Sequence, residues 1–417
     1  MPSMPNTLWK VALLLLPGSA ALAQAPKPSP VPSYYPTAAP PMATGPFVIS
    51  STDGKSFLRV GGLLQSDFHF FSERGRTGNS AFFLRRVRPT LEGSFAGKLD
   101  FRLMPEFGEG RAALLDAFLD LRVRPHLRLR SGKFKVPYSL ERLQAAGDVA
   151  FVERALTNNL IPVRDVGLML MKEPTHEGDL EWELGLFNGG GDSTSLDNNG
   201  DNSFDIVGRV FWQPQPGHGV GIAATSGSAT ESLGSMVFRS AGRSPFFRYS
   251  DGVSGNGQRS RLAPQFFWYS GSLGFLGEQV ITWQTIRNAA STVSHGEKNS
   301  GFTLQTSYVL TGEKASFRNV VPSRPYDFET GRGGAWELVA RYSEVQQDST
   351  TFSVGLADPA LSAQKVQALT FGANWYWSRQ TKLQLNYETT DFGRPIRFAT
   401  GVRRHEKVVL GRLQLQF

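Results

Sequence analysis

The sequence predicts an all-β protein: a 16-stranded antiparallel transmembrane β-barrel. Three features predict it. The chain closes on Lys407-Val-Val-Leu-Gly-Arg-Leu-Gln-Leu-Gln-Phe417, a two-faced strand with an aromatic last residue. It opens on a short apolar leader. Between them, strand-length segments alternate in polarity, and none reaches the roughly 18 apolar residues of a membrane helix.

In the leader, Lys10 precedes Val11-Ala-Leu-Leu-Leu-Leu16, then Pro17-Gly18 and Ala21-Leu22-Ala23. A basic residue, a short apolar run and an A-x-A site make residues 1–23 a secretory signal peptide, too short to span a bilayer. The exported chain is then either soluble or a barrel. Residues 24–55 read as a periplasmic tether. Their eight prolines from Pro26 to Pro46 cannot build a core and favour an extended spacer. Residues 56–417 are the barrel.

Side chains alternate across a strand with period 2. In the first strand Leu58, Val60, Gly62, Leu64, Ser66 and Phe68 oppose Arg59, Gln65, Asp67 and His69. In the second, Phe83, Val87, Pro89, Leu91 and Phe95 oppose Arg86, Arg88, Thr90 and Glu92. The third sets Leu99, Phe101 and Leu103 against Asp100, Arg102 and Glu106. The fourth sets Leu115 to Val123 against Asp116, Asp120 and Arg122. A fifth strand covers about 127–137 and a sixth about 164–172. In the seventh, Trp182, Leu184 and Leu186 oppose Glu181 and Glu183, and in the eighth Val210 and Trp212 oppose Arg209. Eight more fall near 219–226, 261–269, 277–286, 301–311, 335–343, 367–377, 381–389 and 407–417. In the last, Val409, Gly411, Leu413, Leu415 and Phe417 share the outward face. An aromatic there sits at the membrane boundary as the last strand closes on the first. A C-terminal edge strand of a soluble sandwich is the blander alternative.

An even count puts both termini on one side, the periplasm. Residues 377–380 and 214–217 become short periplasmic turns, and 188–202, 226–259 and 344–365 long outer loops. The connection 312–334 breaks this pattern as a long periplasmic one. Between strands five and six, residues 138–163 carry Glu141, Arg142, Asp148, Glu153, Arg154 and Asn158, with no strong helix breaker before Pro162.

Composition fits an envelope protein. There are no cysteines, so no disulfide framework, thiol chemistry or Cys-bound metal. Mean hydropathy is only −0.24, as expected when every second strand residue meets a polar lumen. The formal charge is +8, and loss of Lys10 with the leader leaves +7. A basic exported protein suggests an anionic partner. In an outer membrane that partner is a small anion or lipopolysaccharide and not nucleic acid.

Several blocks resemble the phosphate-selective porins O and P of Gram-negative outer membranes. They are Phe83-Leu-Arg-Arg-Val-Arg88, Gly132-Lys-Phe-Lys-Val-Pro137 with Leu140-Glu141, Phe151-Val-Glu-Arg154, Val163-Arg-Asp-Val-Gly167, Leu186-Phe-Asn-Gly189, Leu310-Thr-Gly-Glu313 and Gly334-Ala-Trp-Glu-Leu-Val-Ala-Arg-Tyr-Ser343. Their order spans nearly all of the chain after the tether. The resemblance implies a homotrimer of sixteen-stranded channels in the cell outer membrane, passively taking up phosphate, polyphosphate or a related anion. It implies that the 138–163 loop folds into the barrel, and that arginines and a lysine cluster line the path. It also implies that the last strand, ending in Phe417, addresses the chain to the outer-membrane barrel assembly machinery.

The residues support an anion path independently. Arg59, Arg86, Arg88 and Arg102 share the polar faces of neighbouring strands, and arginine offers phosphate a planar fork of permanently charged donors. Lys133 and Lys135 face lipid if the phase of Leu127 and Leu129 continues, at a cost of about 2–4 kcal/mol each at mid-bilayer. A bulge at Ser131-Gly132 would turn both lysines inward and Phe134 and Val136 outward, and is the preferred reading. Arg142 and Arg154 come from the loop. Asp67, Glu92, Asp100, Glu106, Asp116 and Asp120 share these faces and could balance the arginines into a poorly selective pore.

No catalytic residues, metal ligands or cofactor site are expected. The six histidines make no metal-spaced pair, and there is no G-x-S-x-G elbow, Walker loop or dinucleotide fingerprint. Asp192, Asp197, Asn199 and Asp201 loosely resemble a calcium loop but lack the closing Glu, since Gly208 occupies that place. A polar surface loop is the plainer reading, and a divalent-ion bridge to lipopolysaccharide the alternative. The function classes left are an anion porin, a general diffusion porin, a structural or adhesive barrel, and a secreted soluble β-rich binding protein.

Overall fold

The computed structural model describes residues 47–417 except 73, 74, 175, 177, 194, 196, 201, 289, 291 and 292. The signal peptide, the tether as far as Pro46, and Asp201 lie outside the described residues. Sixteen strands close into an antiparallel barrel: β2 (Phe57–Phe71), β3 (Ala81–Phe95), β4 (Leu99–Glu106), β5 (Ala113–Arg124), β6 (Leu127–Lys135), β7 (Arg164–Lys172), β8 (Leu180–Phe187), β9 (Asp205–Gln215), β10 (His218–Ala229), β13 (Val253–Ser270), β14 (Leu273–Asn288), β15 (His295–Val309), β16 (Ala335–Gln346), β17 (Lys365–Tyr376), β18 (Thr381–Phe398) and β19 (Gly401–Gln416). Each pairs with its sequence neighbour. Closure is the pairing of β19 with β2, from Val408↔Phe71 to Gln416↔Leu63. Three short strands stand outside the wall. β1 (Val48–Ser50) pairs with the start of β2, and β11 (Val237–Arg239) pairs with β12 (Pro245–Arg248) as a hairpin.

Alternation decides what each face meets. Leu184, Phe371, Leu385 and Leu413 stand on the outer wall, whereas their neighbours Glu183, Thr370, Gln384 and Arg412 are buried inside. Membrane-spanning antiparallel strands of this kind satisfy every backbone group within the closed sheet. The wall is uneven: β4 and β8 have eight residues each, β13 and β18 eighteen. The start of β2, the end of β19 and most of the tight turns lie at one end. The longer connections 136–163, 188–204, 230–252 and 347–364 lie at the other, with 310–334 the exception at the terminal end.

Two predicted facings are corrected. Phe83 points inward, edge-on to His69 with ring centroids 4.9 Å apart. The register slips between Gln65↔Arg86 and Ser66↔Leu84, so Arg85 is an extra residue that flips the phase of what precedes it. The predicted bulge at Ser131-Gly132 is absent: pairing of β6 with β7 runs unbroken from Leu127↔Lys172 to Lys135↔Arg164. Phe134 and Val136 are therefore not on the lipid face. Phe134 is 1% exposed and packs on Phe118 and Phe187. Gly132 takes φ +127°, which only glycine adopts readily, and lets the strand end bend without a change of register.

Candidate functional site

What matters in a barrel is its inner face and whatever crosses its bore. The connection 136–163 is held by inward-facing side chains of strands far from its own. Its short helix α1 (Leu140–Leu143) is capped by Ser139, whose hydroxyl oxygen accepts the Arg142 N–H. Glu278 on β14 accepts the Ser139 hydroxyl at 2.8 Å and the Leu140 N–H at 2.7 Å. Further along, Gln65 donates to Ala146 O (3.2 Å), Gln414 to Gly147 O (2.9 Å) and Lys382 to Val149 O (2.9 Å). Asn374 donates to Ala150 O, Asn386 accepts the Val152 N–H, and Arg341 donates to Glu153 O. Tyr138, Leu140, Phe151, Leu160 and Ile161 are buried beneath these contacts.

Of the residues singled out from sequence, four form acid pairs. Arg59 lies 3.2 Å from Glu92, Arg88 lies 2.6 Å from Glu106, and Arg102 sits between Glu92 and Asp116 at 3.6 and 3.7 Å. Lys133 reaches away from the loop to Asp197 in the 188–204 connection. The other four form no ion pair among the described residues, although Glu153 acts on Arg86 and Glu141 on Arg154 at longer range. Arg86 donates to Gln65 Oε1 at 2.5 Å. Lys135 donates to Leu143 O and Gln144 O at 3.2 and 2.8 Å. Arg154 donates to Glu141 O and, at 3.0 Å, to the same Gln144 O. The Arg142 Nε is buried without a partner.

Sequence reasoning passed over several inner-wall cations. Arg85 sits in the bulge, bound to Glu153 at 2.6 Å and to Glu109 at 2.6 Å. Burial alone would push the Glu153 carboxyl up, but Arg85, with Arg86 and Arg412, holds it well below the usual carboxylate range. Arg164 pairs with Asp116 at 2.7 Å. Arg130, Arg209, Arg261, Arg341 and Arg412 are fully buried, each against acids: Asp120, Glu181 with Glu183, Asp192 with Asp205, Glu141 with Glu388, and Asp67. Most were visible as arginines on the polar face of a strand. Arg85 was not, because its phase depends on the bulge.

At the terminal end the bore widens into a cavity of about 410 Å³. Arg59, Arg88, Arg102, Lys135, Arg164 and Arg318 line it, with Glu92, Asp116 and Asp148 as its acids. Asp67, His69 and Glu153 bring possible metal-ligand atoms within 4.8 Å of one another. Yet Asp67 gives both oxygens to Arg412 and Glu153 both to Arg85, so a metal would have to displace two guanidinium groups. In the calcium-like loop, Asp192 pairs with Arg261 and Asp197 with Lys133, which leaves a weak acidic cluster for a divalent ion.

The family model described as phosphate-selective porin O and P matches residues 58–417. The chain belongs to that family. No curated protein matches the sequence of this porin. Among solved structures it is similar to the outer-membrane channel DcaP of Acinetobacter baumannii, with 10% identity, 88% of this chain and 99% of that one covered, and a TM-score of 0.56. It is similar to an anion-selective porin from Comamonas acidovorans, with 13% identity, 87% and 100% covered, and a TM-score of 0.53. It is also similar to OmpT of Vibrio cholerae in its trimer form, with 9% identity, 87% and 99% covered, and a TM-score of 0.54. At such identities the likeness establishes the fold. Family and fold together are those of an outer-membrane channel.

Proposed function

We propose that this porin passes phosphate or related small anions by passive diffusion, selecting them where the 136–163 loop narrows the bore. One observation carries the reading: Lys135, Arg142 and Arg154 crowd one corner of the lumen and, like Arg86 nearer Arg85 and Arg88, form no ion pair among the described residues. Lys135 and Arg154 converge on a single carbonyl, Gln144 O, so their charges reinforce each other. Within a narrow, low-dielectric wall such a field raises the local concentration of anions. The arginines of the wider cavity, each near an acid, would guide anions without holding them, which conduction requires. The Comamonas structure is described as anion-selective, which agrees with this reading. A homotrimer is the assembly we assign, by likeness to the trimeric Vibrio structure.

The pairing of Arg59, Arg88 and Arg102 with acids favours a second reading, a general diffusion pore. Reversal potential across a potassium chloride gradient separates the two. Measurement at low ionic strength is best, since the Debye length is about 8 Å at physiological salt. The anion reading expects the wild type to prefer chloride, phosphate to block the chloride current, and Lys135→Glu with Arg142→Glu to shift the preference toward cations. A wild type without preference, or a double variant indistinguishable from it, leaves the general pore.

A further inference from the structure

The connection 310–334 is long for the terminal end of a barrel, and the anion path uses only part of it. Its first arm turns inward. Ala315 and Val320 pack with Val309 and Tyr376, Phe317 O accepts from Gln144 at 2.7 Å, and Asn319 Oδ1 accepts from Lys382 at 2.9 Å. The second arm is outside. The Tyr326 N–H donates to Trp377 O at 2.6 Å, Gly334 N–H to Arg324 O at 2.8 Å, and Asp327 N–H to Arg332 O at 2.8 Å. Tyr326 packs edge-to-face with Trp375, centroids 4.7 Å apart, and Phe328 edge-to-face with Trp377 at 5.3 Å. Trp375 in turn stacks on Trp336 at 5.0 Å and 9°. Trp336 and Trp375 face outward where β16 begins and β17 ends.

We propose that this outer arm is a membrane-interface anchor, docking its aromatic platform on the phospholipid head-group region at the terminal end of the barrel. Phe328 is 70% exposed, and the inner arm gives no reason for it. The platform continues the lipid-facing band through the exposed Leu310, Trp336 and Leu338. Amphipathic rings at that level favour the boundary between hydrocarbon and head groups. The tip is closed by its own aspartate. Asp327 accepts the Glu329 N–H at 2.9 Å, the Thr330 N–H at 3.4 Å and the Thr330 hydroxyl at 2.7 Å.

The inference rests on the barrel spanning a membrane, not on which solute passes, so failure of the selectivity measurement would leave it standing. The native chain has no cysteine, so a single Glu329→Cys can carry an environment-sensitive fluorophore in the full-length protein. The labelled protein is reconstituted in phosphatidylcholine–phosphatidylglycerol vesicles. Quenching by a lipid spin-labelled near the head group is then compared with quenching by aqueous iodide. Ser349→Cys, exposed at the start of a short helix in the 347–364 connection at the other end, is the reference. An anchor gives lipid quenching several-fold above the reference. Adding Tyr326→Ser and Phe328→Ser should abolish it while the heat-dependent gel shift shows an intact barrel. Iodide access equal to that at Ser349 overturns the proposal. So does shielding from both quenchers, which would mean that another polypeptide covers the arm. Should the triple variant fail to fold, the single-cysteine comparison still decides.

Discussion

Replacing Glu278 with Ala should free the first half of the lumen loop while leaving the barrel folded. Glu278 is a buried acceptor on β14 that takes the Ser139 hydroxyl at 2.8 Å, the Leu140 N–H at 2.7 Å and, more weakly, the Glu141 N–H at 3.4 Å. The two N–H groups are among those that the first turn of a helix leaves unpaired, and a carboxylate there also meets the positive end of the helix. Hydrogen bonds to a charged group contribute about 1.5–3 kcal/mol each. Water in the bore can replace part of that, so the lower end applies to the two short bonds and the long one adds little. The loss is then about 3 kcal/mol, or roughly a hundredfold in the ratio of detached to attached loop.

The second half of the loop keeps its own anchors in Lys382, Gln384, Asn386 and Arg341. Amide hydrogen exchange should therefore rise about a hundredfold at residues 140–144 and stay unchanged at 149–153. Open-channel current noise in a planar bilayer should increase. Glu278→Gln keeps a carbonyl for the Leu140 N–H and should show a smaller rise. Wild-type exchange at 140–144 in a folded Glu278→Ala barrel would refute the latch, and a uniform rise along the chain would mean that the wall itself had been weakened.

Other outcomes follow from single positions. Gly132→Ala forces a Cβ to 2.2 Å from Ala117 O at φ +127°, so it should lower the temperature of the heat-dependent gel shift, by strain of order 1–3 kcal/mol before the clash is counted. Leu385→Arg, on the lipid face, should reduce the yield of folded barrel at a cost of about 2–4 kcal/mol. Gln384→Arg, one residue away, should fold but displace the loop it binds at Val149 O and Ala150 O, which raises single-channel conductance. Because the Glu153 carboxyl is held below its ordinary value of 4.5, its contribution to loop attachment is present above that value and is lost only as pH falls through the depressed one. Hydrogen exchange at 151–155 should accordingly be flat from pH 7 to about pH 5 after correction for intrinsic rates, and Glu153→Gln should remove that protection at every pH.

Strand number, order and most facings were legible because the lipid band demands apolar residues at every second position and polar ones between. That signal fails where the phase shifts without a cue. Arg85 and Arg86 look alike in sequence, and only pairing with β2 shows which is the extra residue. At Gly132 the costly lipid-facing lysines argued for a bulge. The chain instead bends at a positive-φ glycine, so Phe134 stays inside while Lys135 reaches the loop carbonyls and Lys133 an acidic loop. The 310–334 connection shows the same limit. Its length stood out, but nothing in Phe317, Asn319, Tyr326 or Phe328 says which pair faces inward and which outward.

Charge was the least legible property, for a physical reason. A count of arginines on polar faces measures how much positive charge the lumen holds, whereas selectivity depends on how much is left uncompensated. Arg412 with Asp67 and Arg130 with Asp120 are bidentate pairs at 2.6–2.7 Å. Each adds little net field at a distance and mainly fixes the wall. Truncating one partner of such a pair leaves a buried charge behind, so substitutions there would disturb folding and selectivity together. Arg86, Lys135 and Arg154 differ because their hydrogen-bond partners are amides and carbonyls, which orient a cation without cancelling it, and the Arg142 Nε is buried without a partner. Only two of these four lie on strands. The others arrive on the loop, so the field at the narrowing depends on how Glu278 and the inward amides hold that loop as much as on the arginines of the wall.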